Sequence, residues 1–134
     1  MDFTIITPSL NYGRFLGDCL ESVTGQSGVT LEHLVIDGGS TDESAAVAAR
    51  FPHVDWFQEP DHGMSDAINK GFTRAKGDWV MWLNADDRLK PEALKAILSH
   101  LVQSNADVVY GDWDFIDESG KLLRHVKSPA WSLF

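Results

Sequence analysis

Two adjacent carboxylates, Asp86 and Asp87, end the apolar run Trp79-Val80-Met81-Trp82-Leu83. That run reads as a buried strand, and carboxylates at the carboxyl end of a strand lie where open α/β sheets bind ligands. Side by side, the two repel each other and are costly to desolvate, which a hard divalent cation such as Mg2+ or Mn2+ offsets. The pattern fits a site for a metal and a diphosphate. The plainer alternative is a solvated acidic turn that stops the strand and caps a helix beginning near Pro91.

Three further polar clusters follow apolar runs. The first, Thr7-Pro8-Ser9-Leu10-Asn11-Tyr12-Gly13, lacks both G-x-G-x-x-G and G-x-x-x-x-G-K-[ST], so the dinucleotide and P-loop readings lose their main support. Tyr12 instead offers a flat face on which a base can stack, or is an ordinary half-buried aromatic at a helix start. The second is Asp37-Gly38-Gly39-Ser40-Thr41-Asp42. Its glycines permit a tight turn and close approach to a ligand, and Asp37, at the strand's end, is suited to accept a hydrogen bond from a base imide. The third, Glu59-Pro60-Asp61-His62-Gly63-Met64-Ser65-Asp66, brings Asp61 and Asp66 to a segment that can close over a sugar or phosphate, although Ser65 and Asp66 also suit a helix start. No second histidine stands at zinc-ligand spacing from His62.

Strand and helix patterns alternate to position these clusters. Strands are expected at Phe3 to Thr7, Leu31 to Ile36, Val54 to Gln58, Trp79 to Leu83 and Asp107 to Trp113. Helices are expected at Arg14 to Gln26, Asp42 to Arg50, Ser65 to Lys76 and Pro91 to Gln103. A turn at Asp117-Glu118-Ser119-Gly120 leads into Lys121 to Val126. Such alternation predicts an α/β fold with a mostly parallel sheet and helices on both faces, in one domain over residues 1–134.

Acidic residues outnumber basic ones 20 to 11, a formal charge of −9, which repels a phosphate backbone and makes nucleic acid an unsuitable partner. A phosphate ester bound here would be neutralised by a cation rather than by a cluster of Arg and Lys. Cys19 is the single cysteine, with Phe15, Leu16, Leu20 and Val23 around it at helical spacing, so it reads as a buried inert thiol. No run reaches the roughly 18 apolar residues of a membrane span and the start lacks a signal-peptide pattern, so a cytoplasmic protein is expected. Lys121, Arg124, His125 and Lys127 read as a solvated hairpin face, with peripheral contact to an anionic membrane surface as the alternative.

Four motifs in order carry a resemblance: Thr7-Pro8-Ser9 with Asn11-Tyr12; Val35 to Asp42; Asp66-Ala67-Ile68-Asn69-Lys70-Gly71 with Ala75-Lys76-Gly77-Asp78; and Leu83-Asn84-Ala85-Asp86-Asp87. They resemble the successive motifs of family 2 glycosyltransferases of the GT-A fold, from the first strand to about Asp117. The resemblance implies a Rossmann-like domain that binds a nucleotide-sugar donor, a UDP-sugar first among them. In it Pro8, Ser9, Tyr12 and Asp37 would hold the nucleotide, Asp86 the ribose or metal, and Asp87 the cation. Asn84 stands where the family often has Asp. It further implies inverting transfer to an acceptor hydroxyl, on a glycan or lipid-linked acceptor, which needs a general base. Asp112 and Asp114 are the late acidic candidates for that base. The aromatic end Trp131-Ser132-Leu133-Phe134 is expected to belong to a domain that continues. A sugar nucleotidyltransferase would need a Gly- and Arg/Lys-rich loop at Thr7 to Arg14, which is poor in that chemistry. A non-catalytic nucleotide-binding module is the other alternative.

Overall fold

The computed structural model describes residues 1–129; the expectation for Trp131 to Phe134 lies outside them. The chain divides into two compact units, Met1–Leu98 and Ser99–Phe134.

The first unit is built on a four-stranded sheet of β1 (Phe3–Ser9), β2 (Leu31–Asp37), β3 (Val54–Gln58) and β4 (Trp79–Trp82), in the order β3-β2-β1-β4. All three pairings are parallel: Phe3 lies opposite Leu31 and Trp79, and His33 opposite Val54. With a partner strand on each side and helices over both faces, all seven residues of β1 are buried. The outer strand β4 differs from the expected buried strand, since it pairs on one side among the described residues and leaves Val80 36% and Trp82 54% exposed.

Helices cover both faces. Leu16 and Leu20 of α1 (Gly13–Thr24) and Val47 and Ala48 of α2 (Ser44–Ala48) pack with Val35 and Ala85. On the opposite face Ala67 of α3 (Met64–Arg74) packs with Ile6, Leu34 and Ile36. Val35 and its neighbours Leu34 and Ile36 thus go to opposite faces, as period-two alternation requires, and burial on both sides explains the continuous apolar run in β2. At Gly71 an added Cβ would lie 2.4 Å from Ile6 Cγ2, so glycine there lets α3 seat directly on β1.

A buried polar cluster runs through this core. Thr7 Oγ1 lies 2.8 Å from His33 Nε2 and 3.8 Å from Cys19 Sγ. Burial pushes His33 down to about 3 and the Cys19 thiol up to about 12, so both stay neutral. The expectation of a buried, unreactive Cys19 holds.

Element ends depart from expectation where side chains compete for the backbone. Asp42 was expected to open a helix, but its carboxylate accepts from Gly13 N and Ser44 N, both at 2.9 Å, and α2 starts at Ser44. Pro91 was expected in a first helical turn; Glu92 sits at φ 58, outside helical space, and α4 (Ala93–Ser104) begins after it.

In the second unit, β5 (Trp113–Ile116) and β6 (Leu122–Val126) form an antiparallel pair around the expected turn, with Asp117 N donating to Lys121 O at 2.9 Å. The strand expected at Asp107 to Trp113 begins only at Trp113. Asp107 carries no strand pairing, and residues 113–116 pair instead with 122–126.

Candidate functional site

A cavity of about 350 Å³ opens in the first unit beyond the carboxyl ends of β1, β3 and β4. Its wall is made by the segments that follow those strands, together with the first turns of α3. Of the sequence candidates, Pro8, Ser9, Tyr12, Asp61 and Asp86 line it. Asn84, Gly63 and Met64 line it as well.

The segment after β1 is shaped by its neighbour after β2. Asn11 adopts a left-handed φ of 57, donates its N–H to Ser40 Oγ at 2.7 Å and accepts Thr41 N on Oδ1 at 2.9 Å. Gly13 starts α1 so close to the second segment that a Cβ would lie 2.8 Å from Ser44 N. Tyr12, just before the helix, is 41% exposed, its ring tilted 46° to Phe15 at 6.3 Å. It therefore keeps an accessible aromatic face at the cavity.

Asp37 is fully buried. Its Oδ1 accepts from Gly39 N at 3.0 Å and Ser40 N at 2.7 Å, and Ser40 Oγ donates to Oδ2. These contacts tie the 38–40 turn to the end of β2, so a base could reach the carboxylate only if Ser40 gave way. Asp37 is not part of the cavity wall in this conformation.

Asp61 lies across Gly38 and accepts Gly63 N at 2.8 Å. Asp66 does something else. It accepts His62 N at 3.0 Å and sits 3.2 Å from Lys70 Nζ, while Lys70 donates to Pro60 O at 2.6 Å and Arg74 pairs with Glu59 at 2.9 Å. Residues 66, 70 and 74 form one stripe of α3 that clamps the 59–62 segment, and hydrogen bonding to His62 N holds the Asp66 carboxyl below its ordinary range. The structure gives Asp66 a clamping role and leaves it off the cavity wall.

Asp86 faces the cavity, and Asp87 follows it in a turn closed by Asp87 N donating to Asn84 O at 3.0 Å. Asn84 Nδ2 donates to Asp87 Oδ2 at 3.1 Å. Partial burial, then the neighbouring Asp86 charge, raise the Asp87 carboxyl above its ordinary value. Two buried polar atoms of wall residues, Ser9 Oγ and Asn84 Oδ1, have no hydrogen-bond partner among the described residues. Adjacent carboxylates, one of them on the cavity wall, are the hard-oxygen donor set that Mg2+ or Mn2+ accepts when phosphates supply further ligands. Among the described residues no group of three or more His, Cys, Asp or Glu is arranged to hold a metal ion by itself.

In the second unit His125 lies between the two late acidic residues, its Nδ1 2.6 Å from Asp114 Oδ1 and its Nε2 3.4 Å from Asp112 Oδ2. Asp112 also accepts Ser128 N at 2.9 Å. Sequence reasoning had not linked His125 to them; its register opposite Asp114 on the paired strand is the signal.

Parallel topology, helices on both faces and a cavity at the carboxyl edge define a Rossmann-like ligand-binding α/β protein. The glycosyl transferase family 2 model matches residues 4–134, and the chain belongs to that family. It is 36% identical over 117 residues to a PGL/p-HBAD biosynthesis glycosyltransferase of Mycobacterium bovis, covering 82% of this chain and 46% of that protein. Glycosyltransferase GlyA of Streptococcus pneumoniae matches at 28% identity over 96% of this chain and 19% of its own length. The chain thus spans less than half the length of these relatives. Among solved structures, S. aureus TarS 1-349 in complex with UDP-GlcNAc superposes with a TM-score of 0.74 at 23% identity, covering 80% of this chain and 33% of that one. The mannosyltransferase PcManGT from Pyrobaculum calidifontis, in complex with GDP-Man and Mn2+, gives 0.67 at 24%, covering 82% and 34%. The expected GT-A-type α/β fold is the one observed. No helix among the described residues is long and apolar enough to cross a membrane.

Proposed function

We propose that this chain is the donor-binding part of a glycosyltransferase that takes a nucleotide-diphosphate sugar, a UDP-sugar first, and passes the sugar with inversion to a hydroxyl of a glycan or lipid-linked acceptor. The observation that carries the reading is the cavity itself: the partly exposed aromatic side chain of Tyr12 and two carboxylates, Asp61 and Asp86, surround one space. Tyr12 stacks the base and Pro8 and Ser9 bound its edge. Asp61 accepts a sugar or ribose hydroxyl. Asp86 and Asp87 hold Mg2+ or Mn2+, which supplies Lewis-acid stabilisation of charge growing on the departing diphosphate. The chain's charge of −9 supports that division of labour, since the protein alone repels a diphosphate.

Transfer also needs a base to take the acceptor's proton. Asp112 and Asp114 are the residues proposed for it within this chain, with His125 paired to both. The reaction is assigned to the cytoplasm, consistent with a lone buried thiol. Calorimetric titration with UDP, GDP and dTDP in Mn2+ and in EDTA tests the reading: UDP binds most tightly, and more tightly with Mn2+. Equal affinity in both media removes the metal, and no binding of any of the three removes the donor site. Turnover of a UDP-sugar that is lost on Asp112→Asn or Asp114→Asn identifies the base.

A further inference from the structure

Helix α1 turns a polar stripe toward the segment that carries Asp86 and Asp87. Asp18 Oδ2 pairs with Arg88 Nη2 at 2.5 Å. One turn on, Ser22 Oγ accepts Leu89 N at 3.0 Å. Another turn on, Gln26 donates from Nε2 to Lys90 O at 2.9 Å and accepts Leu94 N on Oε1 at 3.0 Å. Beside the stripe, the Cys19 thiol, kept neutral by burial, lies 3.5 Å from Asn84 O. Positions 18 and 22 lie one turn apart on α1 and Gln26 two residues past its end at Thr24, so the helix edge and the residues that continue it meet successive residues of the segment.

The apolar side of α1 already supplies its attachment to the sheet through Leu16, Leu20 and Val23, all fully buried. The polar stripe adds something different: it accepts the N–H groups of Leu89 and Leu94, gives a second donor to Lys90 O, which also accepts Ala93 N at 3.2 Å, and anchors the side chain next to Asp87. A segment held at 84 and again from 88 to 90 has little freedom at 86 and 87. Two like charges kept at fixed positions before a cation arrives are a preorganised site, and preorganisation raises affinity by removing the ordering cost from the binding step.

We propose that Asp18, Ser22 and Gln26 are positioning residues for the Asp86–Asp87 cation and diphosphate site, acting through the 84–90 segment without touching ligand. The inference rests on the donor-site reading above. Its test is the 134-residue chain with Asp18→Ala, Ser22→Ala and Gln26→Ala combined, titrated with UDP in Mn2+ and in EDTA, alongside backbone amide exchange of the metal-free chain. Affinity for UDP in Mn2+ falls about tenfold, as for lost outer-shell support of a metal site, while affinity in EDTA is retained. Exchange at Leu89 and Leu94 quickens and that of β1 and β2 does not.

Should the triple variant fail to fold, Asp18→Ala alone carries the test. It lowers the Mn2+-dependent affinity about threefold, the scale of a partly exposed ion pair, and the reversed pair Asp18→Arg with Arg88→Asp restores it. Unchanged affinity in Mn2+, or an equal loss in EDTA, overturns the proposal. So does failure of the reversed pair to restore binding, which would make Arg88 a direct ligand contact. Absence of any Mn2+ effect in the unaltered chain is a separate outcome that overturns the donor-site reading itself.

Discussion

A methyl group added at Gly38 would lie 2.6 Å from Asp61 Oδ2, so the carboxylate at the cavity wall occupies space that glycine leaves open. The two residues come from segments after different strands, and their fit brings the Asp61 carboxylate to the site. Gly38→Ala displaces the free end of a side chain rather than backbone. UDP affinity is expected to fall about fivefold, the loss of roughly one hydrogen bond at about 1 kcal/mol, with the melting temperature nearly unchanged. Gly77→Ala is the contrast, because its Cβ would meet Phe3 C and Thr4 N at 2.4 Å. Backbone cannot swing aside, so that variant melts much earlier. A stable Gly77→Ala chain, or a Gly38→Ala chain with full UDP affinity, contradicts these assignments.

Asp37→Ala separates two roles. Removing the buried carboxylate takes away the acceptor of the Gly39 and Ser40 N–H groups, a net loss of about 1 kcal/mol per hydrogen bond, so thermal unfolding moves to lower temperature. If Asp37 also reads a base imide, the preference for UDP over CDP narrows as well. A variant that melts early and keeps its preference leaves Asp37 as the anchor of the 38–40 turn alone.

Asp87 links function to stability with opposite signs. Burial and the Asp86 charge disfavour its ionised form in the folded chain, so its carboxyl sits above the ordinary 3.8. The folded state then holds the proton more tightly than the unfolded one, and stability from this group declines as pH rises from 3.8 through the raised value. Asp87→Asn is therefore expected to raise the melting temperature at neutral pH while abolishing the Mn2+ enhancement of UDP binding. In the unaltered chain that enhancement fades as pH falls through the raised value, because the cation needs the carboxylate. Calorimetry over a pH series reads both effects; an Mn2+ enhancement that survives Asp87→Asn removes the residue from the cation site.

His33 supplies an acid sensitivity unrelated to ligand. Burial, with a smaller contribution from the His53 charge, lowers it from 6.5 to about 3, so between those values the unfolded chain binds a proton that the folded chain does not. Stability therefore falls as pH drops below 6.5, by up to about 1.4 kcal/mol per unit from this group. Denaturant unfolding at several pH values tests this. The slope shrinks in His33→Asn, and an unchanged slope in that variant assigns the sensitivity to other groups.

Sequence by itself determined the alternation of strands and helices, because apolar periodicity records which faces are buried and the two repeat lengths differ. It also located the segments that line the cavity, since polar runs after strands in a parallel α/β pattern must gather at one sheet edge. Three things awaited tertiary structure. Asp37, Asp61 and Asp66 look alike as loop carboxylates. Which one turns inward to hold its own turn, which meets the cavity and which, from α3, clamps the 59–62 segment depends on the backbone angles that bring nearby N–H donors to each. The stripe of Asp18, Ser22 and Gln26 has a visible spacing, but its partners are some 64 to 70 residues away in sequence. The pairing of Asp114 with His125 likewise depends on strand register, which a bulge between Phe115 and Ile116 alters and local pattern does not encode.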